Sequence, residues 1–227
     1  MRLRNLILGD IQFQYKYGFY FVYIILTILY ICLLNLIPEE WSRNTAGIMI
    51  FSDPAAMGLF FMGAIILLEK SQRVIESVAV TPVKVSEYII SKVLSIGLIS
   101  TVVGIIIAVS AGSDNLYTVV LGTFFGSVLF SLLGLLAASK ISSLNQFLLL
   151  TVPIELVSFL PAIIYLMGYQ KSILLLHPGC IIIRFLLGNN SYLLPLIILL
   201  FIWIGILYLI TYYSIKKMFT EVGGVKL

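Results

Sequence analysis

Charge is what this sequence has least of. Only 11% of its 227 residues are Asp, Glu, Lys or Arg, where soluble domains carry about 25%. A chain so poor in charge, 61% hydrophobic and with a mean hydropathy of +1.12, cannot clothe a water-facing surface and reads as an all-α integral membrane protein. Histidine occurs once and cysteine twice, which excludes a zinc site. Cys32 lies inside an apolar run and Cys180 in a later loop, too far apart in expected depth for a disulfide. No G-x-x-x-x-G-K-[ST] phosphate loop occurs, the nearest glycine pair being Gly223-Gly224 after the last apolar run, so hydrolysis of ATP by that route is excluded. The length allows one membrane domain, residues 1–227, and leaves no room for a soluble catalytic one. Basic residues are spread between apolar runs, so the net charge of +4 marks orientation in a bilayer rather than nucleic-acid binding.

What the sequence does have is long apolar runs. A spanning helix needs about 20 largely apolar residues at roughly 1.5 Å each, which gives six spans: 19–37, 48–68, 85–109, 117–138, 144–167 and 193–215. Six spans put both termini on one side. Of the 14 basic residues, eleven fall on the side of the termini and only Arg43, Lys171 and Arg184 on the other, so the termini are expected in the cytoplasm of an inner (cytoplasmic) membrane.

The segment before the first span is no signal peptide, because it lacks a central apolar region. In residues 1–17, Leu3, Ile7, Ile11 and Tyr15 recur every four positions with Leu6 and Phe13 beside them, opposite Arg2, Asn5, Gln12 and Lys16. This predicts an amphipathic helix lying on the membrane surface. Asp10 and Gln14 interrupt its apolar face.

The one charged passage long enough to fold runs from Glu69 to Lys92. Val74, Ile75 and Val78 form a short apolar stripe, and Glu69 stands one helical turn before Arg73, where an ion pair can form. The first helix is expected to end near Val80. Thr81 then serves as N-cap of a second helix with Pro82 at its first position. The result is a helical elbow between two spans, which on charge alone is a solvated loop.

Those same positions carry a resemblance. Permeases of type-2 ABC exporters, a bacterial family, have after their second span an acidic residue, a short amphipathic helix with a Glu, a Thr-Pro pair, then a Glu and a Lys; here Glu69, Glu76, Thr81-Pro82, Glu87 and Lys92 stand in that order. The resemblance implies that residues 69–82 are the coupling helix that docks on a separate ATP-hydrolysing subunit, with Glu69, Arg73, Val74, Ile75, Glu76, Val78, Thr81 and Pro82 contributing. It further implies ATP and Mg on that partner, no cofactor in this chain, no enzymatic activity of its own, and pairing with a second permease copy or a similar permease.

Between the fifth and sixth spans, residues 170–190 are strongly apolar yet broken at His177-Pro178-Gly179, and each arm is too short to cross a bilayer. A hairpin that dips in and returns meets both constraints, and permeases of this family carry such re-entrant helices there. Arg184 in this segment is read as reaching back to the interface.

Apart from Glu87 at the start of the third, two carboxylates fall inside spans. Glu155 lies about mid-way along the fifth, between Pro153 and Pro161; a charge at that depth costs at least about 2.5 kcal/mol on insertion scales. It either lines a translocation path or is a protonated group bonded to a carbonyl that a proline has freed. Asp53, in Ser52-Asp53-Pro54, reads as a helix N-cap where the second span is broken. Gly122, Gly126, Ser127, Ser131 and Gly134 form small-residue rows that let helices approach.

Two functions remain. One is a permease subunit exporting amphipathic or hydrophobic cargo, such as a drug, lipid or antimicrobial peptide, by alternating access. The other is a membrane binding, immunity or sensory subunit that sequesters a ligand without moving it. A membrane enzyme is disfavoured, since one His and one mid-span Glu offer no convergent catalytic groups.

Overall fold

A computed structural model describes residues 2–222, so Lys226 and Gly223-Gly224 lie outside the described residues. Those residues form helices and turns and no strand, as a chain crossing lipid requires, because a helix satisfies its own backbone polar groups. In order they are α1 (Arg2–Lys16), α2 (Phe19–Leu34), α3 (Glu39–Ile50), a π-turn (Phe51–Ala55), α4 (Met57–Ser71), α5 (Val74–Ala79), α6 (Val85–Ser110), α7 (Leu116–Ser139), α8 (Leu144–Leu166), a 3-10 turn (Ser172–Leu176), α9 (Pro178–Leu186) and α10 (Leu193–Val222).

Five helical stretches are long and apolar enough to cross a membrane, and six if α1 and α2, which meet at a 67° bend over Gly18, count as one bent span. The chain is therefore a multi-pass membrane protein. The second apolar run belongs to a longer stretch than its hydropathy marks, Glu39–Ser71, because α3 and α4 join through the π-turn. The last run likewise continues as helix to Val222.

α7 is the axis of the bundle. Its apolar window is 72% buried inside the chain, against 17% for α8 and 11% for α10. Its small residues explain this: α4, α6, α9 and α10 all pack on it. At Gly134 of α7 a Cβ would stand 2.4 Å from the Leu59 carbonyl oxygen, and in the neighbouring α4–α8 contact a Cβ at Gly63 would meet the Phe147 ring at 2.0 Å. Only glycine permits those two approaches. The small-residue rows thus serve packing within the chain.

Asp53 corrects the sequence reading. The chain is helical on both sides of it, so no free helix N-terminus is there to cap, and its carboxylate makes no capping bond among the described residues; instead its carbonyl accepts the Ala56 N–H. Pro54, which lacks an N–H and would clash with a carbonyl one turn back, is accommodated by widening the helix into a π-turn. The second span bulges there rather than breaking.

α9 packs against α7, and of its residues only Arg184 escapes burial. His177 starts it, Nδ1 accepting the Gly179 N–H at 3.2 Å.

The candidate coupling elbow and its buried ion cluster

The elbow is built from the end of α4. That helix stops at Ser71, and Arg73 adopts the left-handed conformation, φ 57°. This reverses the chain into α5, a helix of six residues. A non-glycine residue in that region costs about 1 kcal/mol or more, so it persists only where the surroundings fix it. Here Ile75 fixes it: the side chain is 1% exposed and sits with Ile65, Ile66, Tyr88, Ile89 and Met218 in a core cluster at this end of the bundle.

The apolar stripe therefore faces inward, with Val78 half-buried against the same cluster and Val74 half-buried beside it. The outward face is Arg73, Glu76, Ser77 and Val80, the last 78% exposed.

Thr81 and Pro82 do not start the next helix. The Thr81 hydroxyl and amide both donate to the Val78 carbonyl, at 2.7 Å and 3.0 Å, closing α5. α6 starts three residues after Pro82, where the Glu87 carboxylate reaches back to accept the Lys84 N–H at 2.9 Å. That bond is the Glu half of a capping box; the Lys84 side chain, having no acceptor, does not supply the other half. The Pro82 carbonyl accepts from the Arg2 guanidinium at 3.3 Å, which brings the start of α1 to the elbow.

Glu69 and Arg73 do not pair either. Glu69 is still helical in α4 and points inward, while the left-handed turn carries Arg73 to the surface. The partner of Glu69 is Lys92 of α6, Nζ to Oε1 2.6 Å, and the Tyr88 hydroxyl donates to the other carboxylate oxygen at 2.6 Å. Lys92 also donates to Asp10 of α1 at 3.0 Å. The ammonium side chain is 2% exposed and those of Glu69 and Asp10 are 7% and 15%. One bond further along, the Gln14 amide donates to the Ser95 hydroxyl at 2.7 Å.

This cluster explains the imperfect face of α1. Asp10 and Gln14 interrupt its apolar stripe because that stripe packs on α6, and each meets a polar partner there. A buried ion pair repays its desolvation only with good geometry and additional hydrogen bonds. Tyr88 gives Glu69 the additional bond, whereas Oδ2 of Asp10 has no partner among the described residues.

The remaining links are to α7. Lys70 directs Nζ to the carbonyls of Ala138 (2.7 Å), Ser139 (3.3 Å) and Ile141 (2.6 Å), where α7 ends. A cation on the unsatisfied carbonyls of a helix C-terminus is favourable. In the sequence, the place of Lys70 at the end of an apolar helix is the signal that it turns inward. Glu155 lies in α8, partly exposed, between exposed Val152, Leu156 and Val157, and no donor among the described residues reaches its carboxylate. The structure thus joins Glu69 to the elbow's support but sets Glu155 apart on another helix.

The chain as a whole now meets its relatives. A model of the fluoroquinolones export permease protein family matches residues 1–212. The chain belongs to that family. Two proteins named as fluoroquinolones export permease proteins, from two strains of Mycobacterium tuberculosis, are each 27% identical to it over 133 residues. The match takes in 57% of this chain and 56% of each relative, so it spans little more than half of either. Membership of an export permease family agrees with the exporter resemblance carried by the elbow.

Proposed function

We propose that this export permease is the membrane-spanning subunit of an ATP-driven ABC exporter, coupled to a separate ATPase through the elbow at residues 69–82. The observation that carries the proposal is the division of the elbow into an inner and an outer face. Ile75 anchors α5 in the core, and Arg73, Glu76, Ser77 and Val80 are left free at the surface. A short helix held rigidly with an exposed polar face suits docking, since little conformational freedom is lost on binding.

In this reading the chain crosses the inner membrane six times with both termini in the cytoplasm, α1 lies along the membrane surface, and α9 with the preceding 3-10 turn forms the re-entrant hairpin. ATP and Mg bind the partner, and this chain has no cofactor and no catalytic role. Closure of the ATPase pair moves the elbow, and alternating access follows in a pair of permeases. Glu155, half-covered on the sparsely covered α8, lines the path between two copies. That placement relieves a carboxylate of the cost of facing lipid. The cargo class is amphipathic or hydrophobic, and the name of the mycobacterial relatives makes fluoroquinolones the first cargo to try.

The test is purification of the full chain from its native membrane. A P-loop ATPase that co-purifies and is lost with Glu76→Lys or Val80→Asp, but retained with wild-type sequence at those positions, supports coupling. If no ATPase accompanies the chain under conditions that preserve membrane complexes, sequestration without transport becomes the better account.

A further inference from the structure

We propose that a groove between α6 and α10, floored by α7, binds one anionic phospholipid, whose acyl chain fills it while the phosphate lies at the elbow end of the bundle. The groove holds about 410 Å³ and runs from Leu94, Phe124 and Phe201 to Ile89, Leu132 and Tyr208. It lies on the flank of the spans, so the inference does not depend on coupling to an ATPase.

Local sequence makes the groove. Gly205 leaves a notch in α10, where a Cβ would meet nothing within 4 Å. At the far end the Phe201 ring stands edge-on to Phe125 at 5.2 Å, and Phe125 to Phe124 at 5.8 Å. At the elbow end the Phe219 ring meets Tyr88 edge-on at 5.1 Å, which brings α10 onto α6. Between those contacts the groove separates the two helices, and exposed Ile90 and Phe201 open it sideways to the bilayer.

Its dimensions and lining select hydrocarbon. From Phe201 to Tyr208 the helix rises about 10 Å, so the volume corresponds to a mean cross-section of about 40 Å², less than half that of a helix about 10–12 Å across with its side chains. A helix of a second copy therefore does not enter. Among the lining side chains the Tyr208 hydroxyl is the only polar group. A cargo with several polar groups would leave them unpaired there, whereas an acyl chain has none.

The charges at the elbow end identify the headgroup. Tyr208, Tyr212 and Tyr213 precede the last lysines of α10, as aromatic side chains do where hydrocarbon gives way to headgroups. Cations outnumber carboxylates there: Lys84, Lys216, Lys217, Arg2 and Arg73 against Glu76, Glu87 and Glu221. Glu221 lies 3.7 Å from Lys217, Glu87 is held on the Lys84 N–H, and Arg2 reaches the Pro82 carbonyl. Lys92 is closed inside the bundle with Glu69 and Asp10. The side chains of Lys84 and Lys216 are exposed, and no carboxylate among the described residues lies within 4.0 Å of either ammonium. A lipid phosphate complements them.

Native mass spectrometry of the full chain tests this, after reconstitution in vesicles of equal phosphatidylglycerol and phosphatidylcholine and release into mild detergent. The expected spectrum shows one phosphatidylglycerol retained per chain. Gly205→Leu and, from the opposite wall, Ile90→Trp fill the groove; both are expected to abolish retention and the rise in melting temperature on adding phosphatidylglycerol. Lys84→Gln combined with Lys216→Gln is expected to lower the preference for phosphatidylglycerol about tenfold. That double variant changes no groove residue, so it reports on the headgroup whatever filling does to the fold. A parent chain that retains no phospholipid, or filled variants that retain as much as the parent, would overturn the site. Equal retention of both lipids by the parent would overturn the anionic headgroup. A parent dimer without lipid, lost in the filled variants, would give the groove to a second copy instead.

Discussion

Lys92 is the residue on which the elbow end of the bundle depends. Among the described residues it is the only cation paired with the buried Glu69 and the largely covered Asp10, and removing it leaves both carboxylates without a counter-charge. The expected cost of Lys92→Met is about 3 to 5 kcal/mol, the range for breaking a buried pair from one side. Thermal unfolding in detergent measures it. Adding Glu69→Gln to that variant should recover part of the loss, since the unpaired charge is then gone; a double variant as unstable as the sum of its single changes would show that the groups do not interact. Gly63 offers a second measurement at this scale. Its missing Cβ is where the Phe147 ring lies, so Gly63→Ala should cost about 1 to 3 kcal/mol by overpacking, and Phe147→Leu in the same chain should restore some of it.

Among elements, the elbow separates stability from coupling. Ile75 is core and Glu76 is surface, although they are neighbours in sequence. Ile75→Ser should lower the yield of folded protein, by about 2 kcal/mol or more in stability. Glu76→Lys should leave yield and melting temperature within about 0.5 kcal/mol of the parent and change only ATPase retention. Size-exclusion profiles and melting curves of the two variants distinguish these outcomes. Equal loss of fold in both would mean that α5 has no free face. Between α1 and α6 the same logic applies in reverse: Asp10 and Gln14 look like defects in an amphipathic helix and are its attachment points.

The whole molecule leaves three helices poorly covered. α2, α8 and α10 expose Phe21, Leu149, Val157, Ile198 and Phe201 among other large apolar side chains, a surface suited to lipid or to another copy of the chain. Only α8 carries a carboxylate on such a helix at mid-length. On the proposed pairing, Val157→Cys should form a disulfide between copies in native membranes, read as a dimer on a non-reducing gel, whereas Ile198→Cys on α10 serves as the comparison. Glu155→Gln should alter efflux of an amphipathic cargo while expression is unchanged. Efflux equal to the parent would assign Glu155 a packing role instead.

Sequence alone determined the class of this protein, because scarcity of charge and runs of about 20 apolar residues leave helices across a bilayer as the available solution. It also located the elbow, since charges stand out against such a background, and it placed α6, α7 and α8 within a residue or so of their observed ends. What it misread were side-chain directions. Thr81-Pro82 and Asp53-Pro54 both match helix-start signatures, yet the first closes α5 three residues before α6 begins, and the second lies inside a continuous helical stretch. The inward turn of Ile75, the pairing of Glu69 with Lys92 instead of Arg73, and the hold of Lys70 on α7 were decided by tertiary structure. Their partners lie 19 to 71 residues away in the chain, or on helices that local periodicity cannot bring together. Hydrophobicity is a property of each segment and can be read from it; which charge meets which across a packed interface is a property of the assembled bundle.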